Sequence, residues 1–89
     1  MPTRTAAAAR LAALHDYFLA EFDRNANDNA FAILKEIAAQ SAGLTCDVPT
    51  ASPTVRAGYF QQLYERARGF GELDFALQIM REMSREDCR

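Results

Sequence analysis

Apolar residues recur at steps of three and four along four successive segments of this chain. That spacing places side chains on one face of an α-helix, whereas a half-buried strand needs alternation of apolar and polar residues, which no segment shows. The sequence therefore predicts an all-α fold of four helices. We expect the first over about 5–23 and the second from a cap at Asn27 or Asp28 to a stop at Gly43. The third and fourth are expected over about 53–68 and 72–85.

Three breaks separate these helices, and two of them are short. The Asn/Asp-rich run 24–29 and the Gly69-Phe70-Gly71 sequence each predict an antiparallel hairpin of the flanking helices. The middle break contains Pro49 and Pro53, which exclude helix there. We therefore predict one domain, 1–89, in which a hairpin over 5–44 is joined by a Pro-containing linker, 45–53, to a hairpin over 53–86.

The second helices of the two hairpins are weakly alike. Segment 30–38 reads AFAILKEIA and segment 76–84 reads ALQIMREMS, with a basic–acidic pair at the same place and an offset of 46 residues. In the fourth helix we assign one apolar stripe to the core: Leu73, Ala76, Leu77, Met80 and Met83. Glu82 and Arg85 are expected to pair on a solvated face.

Charge argues against a nucleic-acid-binding protein. The net charge is −2, whereas proteins that neutralise phosphates normally carry a basic excess. Arg66 and Arg68, beside Phe70, are the best candidates for a nucleic-acid contact, although cations here also suit the end of a helix. A nucleic-acid-associated helical protein, such as a phage DNA-packaging subunit or regulator, is therefore the alternative function.

No residue pattern indicates a catalytic or cofactor site, so we predict that the protein is not an enzyme and needs no cofactor. His15 is the one histidine, and Cys46 or Cys88 would have to meet it in space to act as a nucleophile. Two distant cysteines do not form a disulfide framework, and no apolar run has the length of a membrane helix. We expect a cytoplasmic protein with no membrane partner.

Eight residues of the second hairpin match the packing positions of a tetratricopeptide-type repeat: Phe60, Leu63, Ala67, Gly71, Leu73, Ala76, Met80 and Met83. The stretch 60–83 resembles one such repeat, although Tyr64 and Cys88 depart from its small residue and its closing proline. The resemblance implies a peptide- or protein-binding hairpin. An ordinary helical hairpin is the other interpretation, because at least three repeats are needed to bury a continuous core.

Aromatic residues crowd into 59–75, and aromatic and Met side chains are enriched at protein interfaces. A four-helix domain needs one apolar stripe from each helix, so Phe75 and Ile79, on an adjoining face, are surplus. The predicted protein interface comprises Tyr59, Tyr64, Phe70, Phe75, Ile79 and Met83. The predicted function is a non-enzymatic helical protein-binding module, namely a small adaptor, regulator or inhibitor that forms a homodimer or binds an unidentified partner.

We predict that the protein needs no metal. Asp23-x-Asn25-x-Asn27 has the opening spacing of a calcium loop, but Asp28 stands where that loop needs Gly and Leu34 where it needs Glu. Treatment with a chelator should therefore leave the melting temperature unchanged. A chelator-induced drop of many degrees in a thermal melt would contradict this prediction.

Overall fold

Four α-helices form the fold, and the computed structural model describes residues 5–44 and 46–88. The helices are α1 (Ala6–Asp23), α2 (Asn27–Ser41), α3 (Pro53–Gly69) and α4 (Leu73–Asp87), with a 3-10 turn at Pro49–Ala51. The described residues contain no strand. The prediction of two helical hairpins joined by a Pro-containing linker is confirmed, since α1 packs on α2 and α3 packs on α4.

The two hairpins turn through the same backbone motif. Asn25 after α1 and Gly71 after α3 both adopt the left-handed region, with φ of 61° and 74°. In each turn the left-handed residue and the next residue donate their amides to carbonyls in the last turn of the helix, at 3.1 and 3.0 Å after α1 and at 3.0 and 2.9 Å after α3. This is the Schellman arrangement. The two turns are 46 residues apart, so the structure repeats at the offset seen in the sequence.

The predicted cap of α2 was wrong. Helix α2 begins at Asn27, and the cap position is Ala26, with no side-chain capping hydrogen bond. The chain enters α2 straight from the Schellman turn, so neither Asn27 nor Asp28 occupies the position before the first turn. Asn27 Oδ1 instead accepts a hydrogen bond from Arg66 Nη1 at 3.2 Å. This amide therefore joins the two hairpins rather than closing its own helix.

Aromatic rings join the hairpins into one packed unit. Tyr59 of α3 meets Phe22 of α1 edge-on, with 5.2 Å between ring centres. Phe31 of α2 meets Phe60 of α3 at 6.0 Å and Phe75 of α4 at 5.4 Å, also edge-on. Such pairs stabilise by about 0.5–1.5 kcal/mol beyond the area they bury. The molecule measures 48 × 29 × 15 Å, a flat shape that fits two hairpins side by side.

The face that α4 turns toward the core differs from the predicted one. Leu73, Leu77 and Met80 were assigned to the core, but they are exposed. The residues that α4 buries wholly or partly include a row spaced by four and three: Phe75, Ile79, Glu82 and Glu86. Sequence reasoning places carboxylates in solvent because unpaired charges are rarely buried. Both carboxylates have arginine partners here, and Glu82, expected on a solvated face, is buried beside the Nη1 atom of Arg85 at 3.1 Å.

Arg56 of α3 connects three other parts of the chain through one buried guanidinium. Its Nε and Nη2 atoms donate to the two carboxylate oxygens of Glu86 at 2.8 and 3.0 Å. Its Nη1 atom donates to Ser41 Oγ at 3.0 Å and to the carbonyls of Thr50 and Ala51 at 3.1 and 2.9 Å. The Arg56 and Glu86 side chains are only 4% and 6% exposed. The ends of α2 and α4 and the linker are thereby tied to α3.

Breaking this buried pair should destabilise the fold far more than breaking an exposed pair. Arg56→Met should lower the free energy of unfolding by about 3–5 kcal/mol, because it removes the guanidinium that pairs with the buried Glu86 carboxylate. Adding Glu86→Met should recover part of that loss, since both charges of the pair are then removed. As a control, Arg24→Met breaks a pair whose arginine is 71% exposed and should cost less than about 1 kcal/mol. Urea denaturation measures each value, and equal losses for the two arginine variants would contradict the prediction.

Candidate functional site

An uncovered row of apolar side chains runs along α4. It consists of Leu73, Leu77 and Met80, which are 70%, 46% and 48% exposed and are spaced by four and three residues. Residues at this spacing share one face of a helix. We call these three residues the α4 stripe. Phe70, 69% exposed, precedes it in the turn. A contiguous apolar row in water is typical of an interaction surface, because a partner would remove its area from solvent.

The corresponding face of α2 shows what covers such a row. Leu77 and Met80 lie 46 residues after Phe31 and Leu34, in hairpins whose turns have the same offset. Phe31 and Leu34 are buried, and the Phe31 ring meets one ring from each helix of the second hairpin. Within 5–44 and 46–88, no third hairpin covers α4 in this way. The α4 stripe is therefore the face on which a further helical element would stack.

Charged side chains border the α4 stripe on one side. Asp74 and Arg81 are exposed, and each directly follows a stripe residue. They are seven residues apart, which is about two helical turns, so they lie on the same flank. On the other flank, Ala76 is buried and Met83 packs against the core. A helical partner would thus meet an apolar row with an acidic and a basic group along one edge.

A shallow cleft of about 610 Å³ lies between α2 and the beginning of α4. Its lining includes the carboxylates of Asp28, Glu72 and Asp74 and the cation of Lys35, whose Nζ atom is 4.8 Å from the centre of the Phe31 ring. The described residues that line it include no histidine, cysteine or serine. This cleft offers charge but no pairing of a nucleophile with a histidine base.

The six predicted interface residues are less exposed than expected. Ile79 is completely buried in the core, so its assignment to the surface was wrong. Four of the others are half-buried and pack against the core: Tyr59, Tyr64, Phe75 and Met83. Phe70 alone of the six is exposed. The sequence does indicate surplus apolar residues on α4, but it does not distinguish the two faces, because both have helical spacing.

Arg66, a predicted nucleic-acid contact, is used inside the protein. Its Nη1 atom donates to the Phe22 carbonyl at 2.9 Å and to Asn27 Oδ1 at 3.2 Å. Its guanidinium carbon also lies 3.8 Å from the centre of the Phe22 ring. Arg68 is exposed, with its guanidinium carbon 5.8 Å from the centre of the Tyr64 ring. The two arginines therefore do not form a paired basic surface, because Arg66 fastens α3 to the first hairpin.

His15 and the cysteines are not brought together as a nucleophile and base. His15 Nδ1 lies 2.9 Å from the hydroxyl of Thr50, which is completely buried. Cys46 is half-buried in a cleft lined by the linker and the beginning of α3, and Cys88 is exposed after α4. Among the described residues, no three or more His, Cys, Asp or Glu side chains are grouped to hold a metal ion.

Comparisons with protein-family models, curated proteins and solved structures found no match to this chain. In the part of the chain that the structure describes, no helix combines the length and apolar character needed to cross a bilayer.

The two faces of α4 should respond differently to the same loss of side-chain volume. Ile79→Ala should lower the free energy of unfolding by about 2–5 kcal/mol because it leaves a cavity in the core. Leu77→Ala, two residues earlier on the exposed face, should cost less than about 1 kcal/mol. Urea denaturation at low micromolar protein concentration compares them. A larger loss for Leu77→Ala would show that Leu77, rather than Ile79, faces the core.

Proposed function

We propose that the protein is a non-enzymatic helical module that binds another protein through the α4 stripe, as a small adaptor, regulator or inhibitor. One observation carries the proposal. The face of α2 that includes Phe31 and Leu34 is buried by the next hairpin, whereas the equivalent face of α4 is open to solvent within the described chain. The open face of α4 therefore corresponds to a face of α2 that packs against helices within the same molecule.

The chemistry of this surface favours a helical partner. The stripe residues are spaced by four and three, and side chains at these spacings form ridges that pack into the grooves of a neighbouring helix. Met80 adds a flexible side chain that adapts to different partner shapes. An amphipathic helix can place its apolar face on such a row. The expected partner is therefore a protein segment with apolar residues at helical spacing.

The resemblance to a tetratricopeptide-type repeat supports the same proposal. Leu73 and Met80 are at packing positions in that resemblance, yet they are exposed here. A single repeat leaves such residues uncovered, because a neighbouring repeat normally buries them. The nucleic-acid alternative has less support, since Arg66 is engaged with Phe22 and Asn27. We also propose a cytoplasmic location, which fits the two free cysteines.

Affinity capture from cells of the native host tests the proposal. Tagged wild-type protein, cross-linked in the cells before capture, should retain a partner, which includes an untagged copy of this chain expressed in the same cells. Leu77→Glu should lose that partner because it places a charge within the α4 stripe. Tyr17→Glu is the matched control, since Tyr17 is 63% exposed on α1, in the first hairpin.

Thermal melts followed by circular dichroism should show that both variants remain folded, because both positions are exposed. The proposal fails if the wild-type protein and the folded Leu77→Glu variant retain the same proteins in the same amounts.

A further inference from the structure

One open end of the two packed hairpins carries charged side chains on α1, and the other carries the apolar α4 stripe. This difference limits what can cover the α4 stripe. Helix α3 packs on the first hairpin through Phe60 and Leu63, among other residues, and the equivalent positions on α1, 46 residues earlier, are Leu14 and Tyr17. Helices α1 and α3 correspond at this offset because they end at 23 and 69.

Two of the other equivalent positions on α1 are charged. Arg10 is exposed, and Glu21 pairs with Arg24 at 3.2 Å. The open end of the first hairpin thus carries charged groups beside the exposed Tyr17 side chain. The open end of the second hairpin has the apolar α4 stripe. Head-to-tail stacking of two copies would place that stripe against charged groups, whereas tail-to-tail stacking places it against another apolar stripe.

The α4 stripe has the spacing of a coiled-coil seam. Leu73, Leu77 and Met80 are followed by exposed Ser84, so the steps are four, three and four. Such alternating steps keep a row of side chains facing a second helix. Asp74 occupies the flank of this seam after Leu73, and Arg81 occupies the same flank after Met80.

Helix direction decides which flanks meet. In an antiparallel pair each flank faces the same flank of the other helix. A twofold axis at Leu77 then brings Leu73 opposite Met80 of the second copy and Asp74 beside Arg81 of the second copy. Symmetry makes the second ion pair, because a twofold interface repeats each contact. In a parallel pair the Asp74 and Arg81 flank would instead face Ala76 and Met83, which are uncharged.

We propose that a second copy of this chain covers the α4 stripe, with the two α4 helices antiparallel about a twofold axis at Leu77. This proposal rests on the proposed function and names the partner. The surface is small compared with standard interfaces, so a weak dimer is expected, with a dissociation constant of roughly tens to hundreds of micromolar.

Charge exchange between Asp74 and Arg81 tests both the partner and the register. In sedimentation equilibrium at low ionic strength, from about 5 µM to about 1 mM, the wild-type mass should rise from the 9.9 kDa monomer toward twice that value. Asp74→Arg alone and Arg81→Asp alone should each weaken association about tenfold, because each places like charges opposite one another. An equimolar mixture of these two variants should recover association, since the complementary pairs form between unlike copies.

The first hairpin supplies control positions. Asp16 and Arg10 are exposed on α1. Asp16→Arg and Arg10→Asp therefore make the same changes of charge away from the α4 stripe. Both variants should associate as the wild type does.

A wild-type protein that remains a monomer up to about 1 mM overturns the second-copy proposal. If capture still finds a Leu77-dependent partner, the proposed function stands and only the identity of the partner is wrong. Masses that exceed the dimer show head-to-tail stacking instead. A wild-type dimer that the mixture of charge variants does not reproduce rules out the antiparallel register. The proposed function fails as well if capture finds no Leu77-dependent partner and sedimentation finds no dimer.

Discussion

The buried guanidinium of Arg56 is the constraint on which the arrangement of the four helices depends. Its Nε and Nη2 atoms donate hydrogen bonds to the Glu86 carboxylate on α4. Its Nη1 atom donates to the Ser41 hydroxyl and to two linker carbonyls. A buried ion pair of this kind costs desolvation energy, and its attraction offsets that cost only when the geometry and the remaining hydrogen bonds are good. Its main consequence is therefore positional. The pair selects one rotation of α4 and one path for the linker.

That rotation decides which apolar residues of α4 are left exposed to solvent. With Glu86 held by Arg56, the row that includes Phe75 and Ile79 faces the first hairpin, and Phe75 packs on Phe31. The α4 stripe must then point elsewhere, because a helix cannot turn two faces to the same neighbour. The exposure of the α4 stripe thus depends on a polar contact at the end of the helix rather than on the hydrophobicity of the stripe residues themselves.

Much of the fold could be predicted from the sequence, because its signals are local. Gly43 and Gly71 adopt the left-handed conformation that helix stops favour, and α3 begins at Pro53 as its proline predicts. The rotation of α4 could not be predicted in this way. Both apolar faces have helical spacing, and the partner that separates them, Arg56, lies 30 residues from Glu86 in the chain. Of the candidate site, the sequence could predict only that α4 has a surplus of apolar residues.

The 46-residue repeat shows why residue type alone does not determine such a site. Leu34 and Met80 occupy equivalent places in two hairpins with the same turn geometry, yet Leu34 is completely buried and Met80 is half exposed. The difference lies in the neighbour: a second hairpin covers α2, and none within the described chain covers α4. Burial here is a property of the stack rather than of the single hairpin. A face that the fold uses once for internal packing is therefore open at the second hairpin, where we propose that a second copy packs and that Asp74 and Arg81 set the direction of its approach.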